Sequence, residues 1–248
     1  MIRKYLTACL AVALATAALG GCSSGGTSDE NSPSPSPSVT QTQTPLEQAR
    51  AALLTADEIP VPPPSNTVEI PSSHSAQGDQ VSAPWPQFMI CSSIAQADEG
   101  SPIVVEPGAA AGAWAFGVAD TAPQEGEGYS QIDQYAIVYS DEAAAQAAVQ
   151  RAKELDCDEA IKGWGYPELE WTVATGPVPD SVSGFRTTGT FTIPSEDSTQ
   201  DSVSTVMRAG NTVHYMRMSE SSGGGRDGML DQEYVERLIT AAADNLAS

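Results

Sequence analysis

The chain has 248 residues and sets 11 Lys and Arg against 32 Asp and Glu, a formal net charge of -21. So acidic a surface repels phosphate backbones and argues against nucleic-acid binding. Two histidines in all leave little for zinc sites or histidine catalysis. Apolar residues, at 40%, suffice for a packed core once the disordered ends are set aside.

Arg3 and Lys4 precede an apolar run from Leu6 to Leu19, the size of a signal-peptide core and short for a bilayer span. The run ends in Leu19-Gly20-Gly21-Cys22, which resembles the lipobox of bacterial lipoproteins. That resemblance implies cleavage after Gly21 and a diacylglyceryl group on Cys22. Two acyl chains then hold the protein far more firmly than one. An ordinary secretory signal with a chance cysteine is the alternative. Loss of residues 1–21 removes Arg3 and Lys4 and deepens the charge from -21 to -23. Residues 22–44, with the Pro-Ser alternation of Ser32 to Ser38, have no apolar periodicity and read as a disordered tether behind the anchor.

Residues 45–248 read as one folded domain. Thr44, Pro45 and Glu47 form a capping box that starts a helix, with Leu46, Ala49, Leu53 and Leu54 on one face. Thr55 and Glu58 repeat the spacing before Pro60, and the proline-rich stretch from Pro60 to Pro86 reads as a long irregular loop. Strands are expected at Trp114–Val118 and Ile132–Ser140. A helix follows over Asp141–Leu155, capped by Ser140, with Ala145, Ala148, Val149, Ala152 and Leu155 as its apolar stripe. Further strands are expected at Leu169–Thr175, Gly184–Ile193, Ser202–Arg208 and Thr212–Ser219, the last two joined by a three-residue hairpin loop, Ala209-Gly210-Asn211. A final helix covers Leu230–Leu246. Strands meeting by hairpins, with helices between and after them, predict an α+β fold: an antiparallel sheet with helices packed on one face.

Cys9 leaves with the leader and Cys22 is committed to lipid, so Cys91 and Cys157 remain as an even pair in an oxidising compartment. A bond between them would close a loop of about 65 residues, worth about 3–5 kcal/mol by chain entropy. Two free buried thiols are the alternative.

The order Leu53–Pro60 (LLTADEIP), then a cysteine, then a strand running into Tyr139–Cys157 (YSDEAAAQAAVQRAKELDC), a threonine-rich strand, the hairpin Arg208–His214 and a last helix resembles the PknH-like extracellular domain of actinobacteria. That domain serves as the sensor of a receptor Ser/Thr kinase and also occurs as free-standing lipoproteins. The resemblance implies a concave antiparallel sheet backed by helices, with a cleft for an unidentified ligand. The family's sensor has two disulfides, of which this chain retains the cysteines for one. It carries neither the Gly-rich loop nor the catalytic loop of a kinase.

Chemical motifs are sparse. The sequence contains no HExxH, CxxC, Walker A or GxSxG pattern. The acidic run Glu154–Glu159 departs from the EF-hand pattern and reads as a solvated helix end. Gly223-Gly224-Gly225 lacks the Lys that a phosphate cradle requires. His74 lies in a serine-rich stretch, and His214 alternates with Tyr215 as a residue expected at the surface or rim of its strand. Trp164 and Tyr166, followed by Trp171, would stack on a sugar or apolar ligand if exposed, or plug one end of the core if not. Arg186 and Arg217 stand out as rare cations among many acids; each would select an anionic ligand or pair with a neighbouring carboxylate.

These readings give a membrane-anchored extracytoplasmic lipoprotein whose domain is a ligand-binding or sensor module and not an enzyme, with no metal and no cofactor. The candidate ligand residues are Trp164, Tyr166, Arg186, His214 and Arg217. Its expected partners are the membrane, through the lipid on Cys22, and a small envelope ligand or a protein. The alternative is a protein-protein interaction module without a small ligand.

Overall fold

The structure is a computed structural model that describes residues 43–61, 67–83, 104–120, 130–155, 170–193, 198–222, 230 and 232–248. All belong to one compact unit, Thr42–Ser248. The lipobox, residues 22–42 of the tether and both cysteines of the expected disulfide lie outside the described residues.

Helix α1 spans Pro45–Ala51. Its start is the expected capping box: the Thr44 side chain accepts the Glu47 N–H, while the Glu47 carboxylate accepts from the Thr44 N–H and Oγ1, both at 2.8 Å. The second box also forms, with Glu58 accepting from Thr55 N–H and Oγ1 at 2.7 and 2.8 Å. It supports only a single turn before Pro60.

The loop expected over Pro60–Pro86 is corrected by the structure. Strand β1 occupies Thr67–Gln77 and a short β2 occupies Ser82–Ala83, paired with β3 at Val104–Val105. Pro71 is tolerated because β1 lies at a sheet edge and its register shifts between Glu69 and Ser72, where a missing N–H breaks no ladder bond.

Strands β4 (Ala109–Asp120) and β5 (Ser130–Tyr139) follow, then helix α2 (Glu142–Lys153), β6 (Glu170–Gly176), β7 (Ser183–Ile193), β8 (Ser198–Ala209), β9 (Thr212–Ser222) and helix α3 (Gln232–Ala247). The seven long strands form one antiparallel sheet in the order β1-β4-β5-β9-β8-β7-β6. β4 is more than twice the expected length, because its first half is alanine and glycine without the β-branched residues that mark a strand. Those small side chains have a packing role. Ala111 and Ala113 cluster with Ala49 of α1 and Val138, so the helix lies close on the sheet. The β8–β9 loop has two residues, not three: Ala209 pairs with Thr212, and Gly210 takes a φ of 53°. Asp141, not Ser140, caps α2, its carboxylate accepting the Ala144 N–H at 2.8 Å.

Alternation along the central strands sorts their side chains onto two faces. On the first face Ile132, Ala136, Val203, Met207, Met216 and Met218 pack beneath α3, which buries Tyr234, Leu238, Ile239, Ala242 and Ala243. α1 docks on the same face, and the fully buried Gln134 grips the chain after it, accepting the Leu54 N–H at 2.9 Å and donating to the Leu54 carbonyl at 3.1 Å. The α+β class and the antiparallel sheet are as expected. The helical layer, however, is divided: α2 lies on the second face, where Ala145, Ala148 and Ala152 meet Ile137, Tyr139, Phe185, Val206, Val213 and Tyr215. Its stripe of alanines fits against tyrosine and phenylalanine rings, large on one side and small on the other.

Candidate functional site

The second face beyond α2 carries the most polar arrangement of the fold. Cross-strand pairing aligns Phe116 of β4 with Asp133 of β5, Arg217 of β9, Ser204 of β8 and Thr187 of β7 in one row. The adjoining row holds Gln131, Ser219 and Ser202. Arg217 is 4% exposed and bonds to one oxygen of Asp133 twice, through Nη2 at 2.6 Å and Nε at 3.1 Å. Two bonds converging on one oxygen hold the guanidinium in place, and removing either charge would strand the other in a poorly solvated site.

On the α2 side of this row stand Tyr135, opposite Trp114, and Tyr215. Burial raises the Tyr135 phenol above its ordinary pKa, the Asp133 charge adds to this, and Arg217 offsets part of it. Trp114 in turn faces His74 of β1, with ring centroids 5.3 Å apart and planes tilted by 32°. Beneath α2 a second polar group ties the helix down: Glu106 accepts from the Tyr139 hydroxyl at 2.9 Å and from Arg151. Burial, then Tyr215 and Glu106, hold the Tyr139 phenol far above its usual range, and burial pushes Tyr215 up to about 12. Both phenols therefore stay neutral throughout the physiological range.

The candidates read from sequence scatter. Arg217 lies on the second face, whereas Arg186 and His214 belong to the first. Arg186 pairs with Glu236 of α3, the commoner of the two fates considered for it. His214, expected at the surface or rim, is fully buried, and neither ring nitrogen has a hydrogen-bond partner among the described residues. Burial alone lowers its pKa from 6.5 to about 4. The alternation was read correctly, but the face holding Met216 and Met218 is the one that α3 covers. Cys22, Cys91, Cys157, Trp164 and Tyr166 lie outside the described residues, and Trp171 is placed only by its backbone, opposite Phe191 in the β6–β7 ladder.

Asp133, Trp114, Phe116, Tyr135 and His74 were missed as a group. Each is unremarkable in sequence, and only the β1-β4-β5-β9 order brings them to one face. Alternation within Trp114-Ala115-Phe116 against Ile132-Asp133-Gln134-Tyr135 was the available signal, though it required knowing that β4 pairs with β5. Among the described residues no group of three His, Cys, Asp or Glu side chains is arranged to hold a metal ion. An open depression of about 430 Å³ on the outer side of α3 is lined by Glu233, Glu236, Arg237 and Asp244 among others.

No protein-family model matches the chain, and no curated protein matches it. Among solved structures, the extracellular domain of PknH from Mycobacterium tuberculosis is similar, at 12% identity over 81% of this chain and 95% of that one, with a TM-score of 0.50. An uncharacterized protein from Mycobacterium smegmatis, the Rv0999 ortholog, aligns at 15% identity over 82% of this chain and 98% of that one, with a TM-score of 0.43. The antiparallel sheet with its three helices, reached from the order of elements in the sequence, is the fold of the PknH extracellular domain.

Proposed function

We propose that the chain is an extracytoplasmic binding module of the sensor type, held on the outer face of the cytoplasmic membrane by lipid on Cys22 and spaced from it by residues 23–44. The observation that carries this reading is the second face, where a buried Arg217–Asp133 pair adjoins partly exposed aromatic rings on an otherwise well-packed sheet. Such a mixture of apolar wall and a few fixed polar groups is what small-ligand sites are made of. The likeness in fold to a domain described as extracellular supports the location. Binding in preference to catalysis is supported by the surroundings of the titratable groups. His214 is shut in the core, and Glu106 and Asp133 each face an arginine.

Native mass spectrometry of the purified, non-reduced chain after incubation with an envelope extract tests the reading. A discrete adduct that also raises the melting temperature supports it. An unchanged mass and melting curve would remove the small ligand and leave a protein partner to be sought by crosslinking. The same spectra read the anchor, as a diacylglyceryl mass on the chain that Cys22→Ala abolishes. They also read the Cys91–Cys157 bond, which alkylation without prior reduction would disprove.

A further inference from the structure

Trp114, Phe116 and the His74 ring share the second face on the neighbouring strands β1 and β4. Trp114 and Phe116 remain partly exposed and His74 is exposed. Neither Trp114 nor Phe116 joins any of the three hydrophobic clusters formed by the described residues. Large rings held out of the core leave apolar area in water that folding would ordinarily remove. Across the ladder from Phe116 stands Asp133, its side chain 15% exposed, held through one oxygen by the deeper Arg217 at 5%.

The charges in this pair cancel, so the spot offers oriented hydrogen bonds without a net positive field. The chain around it, at -21, repels anions. A long lipid tail would have to cover the exposed His74 and the partly exposed Asp133 and Gln131. A ligand with apolar C–H faces and hydroxyl edges satisfies both halves of the surface at once. We propose that this ledge is a subsite for a neutral saccharide: Trp114, flanked by His74 and Phe116, stacks on a sugar ring, and Asp133 accepts bonds from its hydroxyls while Arg217 holds the carboxylate in position. The inference rests on the ligand-binding reading of the same face.

The test applies the purified full chain to immobilised mannohexaose, maltohexaose, cellohexaose and tetra-N-acetylchitotetraose, with sulfated and sialylated oligosaccharides beside them. Calorimetric titration then follows for the neutral sugar that binds best. A neutral oligosaccharide binds, Trp114→Ala weakens it by about tenfold or more as for a central aromatic anchor, and Trp114→Phe, which keeps a ring, retains most of the affinity. His74→Ala, at an exposed edge where folding is not at stake, weakens binding as well. Binding only to the anionic sugars overturns the proposal, as does neutral-sugar binding indifferent to both alanine variants. If no sugar binds while an envelope extract yields a lipid or peptide adduct, the saccharide is wrong and the binding module stands. If neither binds, both readings fall.

Discussion

Acid should loosen this protein through one side chain, His214. The ring is fully buried on the first face, between Ala136 of β5 and Met207 of β8, and lacks hydrogen-bond partners among the described residues. No charged group contributes to its pKa; burial alone takes it from 6.5 to about 4. The unfolded chain therefore takes up this proton first as pH falls, so stability drops between about 6.5 and 4 and levels off below. The separation of the two values corresponds to about 3 kcal/mol, a sizeable part of a typical domain's stability. Carboxylates protonate over part of the same range, so the effect must be read as a difference. Urea unfolding at pH 7.5, 6.5, 5.5 and 4.5, followed by circular dichroism, should show the wild type losing about 2.5 kcal/mol more than His214→Leu across that span. At pH 7.5 the variant should be no less stable, since it removes two buried nitrogens that folding desolvates without replacement. Parallel loss of stability in the two proteins would refute the reasoning, because it would mean that the ring is solvated or paired.

Three other perturbations follow from contacts already described. Arg217→Met should cost about 3 kcal/mol by leaving Asp133 without its partner. Adding Asp133→Asn should recover much of that loss, as a double-mutant cycle of thermal melts would show. Gly184→Ala should prevent folding, because the residue has a φ of 150° and a Cβ would come within 1.9 Å of the Val206 carbonyl oxygen; soluble yield and far-ultraviolet dichroism report it directly. Gln134→Leu should cost about 2 kcal/mol by unpairing the Leu54 backbone, and the amides of α1 should exchange hydrogen faster while those of β9 do not.

The sequence made most of the fold legible where periodicity and chemistry agreed. Thr44, Pro45 and Glu47 announce α1, and the alanine stripe of α2 proved to be its buried face. Errors arose where composition speaks against local structure. A strand at a sheet edge carries Pro71 without penalty, and a strand made of Ala109 to Ala113 looks like nothing in particular until its neighbours need the space. The site was harder still. Arg217 could be singled out by its rarity, but its partner Asp133 lies 84 residues away in sequence. His214 was misjudged because alternation names two faces without saying which one a helix will cover.

The first helix of the domain is secured in large part by residues far downstream. Gln48 donates to Asn211 and Thr212, Leu54 is held by Gln134, and Asn245, three residues from the end, donates to the carbonyls of Ala51 and Leu53. A chain made from its N-terminus therefore presents α1 first and locks it last, after the final helix has been delivered. Until β4 and β5 have formed, Leu46 and Leu53 have no sheet to lie on. Loss of the Asn245 side chain would free the carbonyls of Ala51 and Leu53, so damage to the last helix should be felt as a loosened first one.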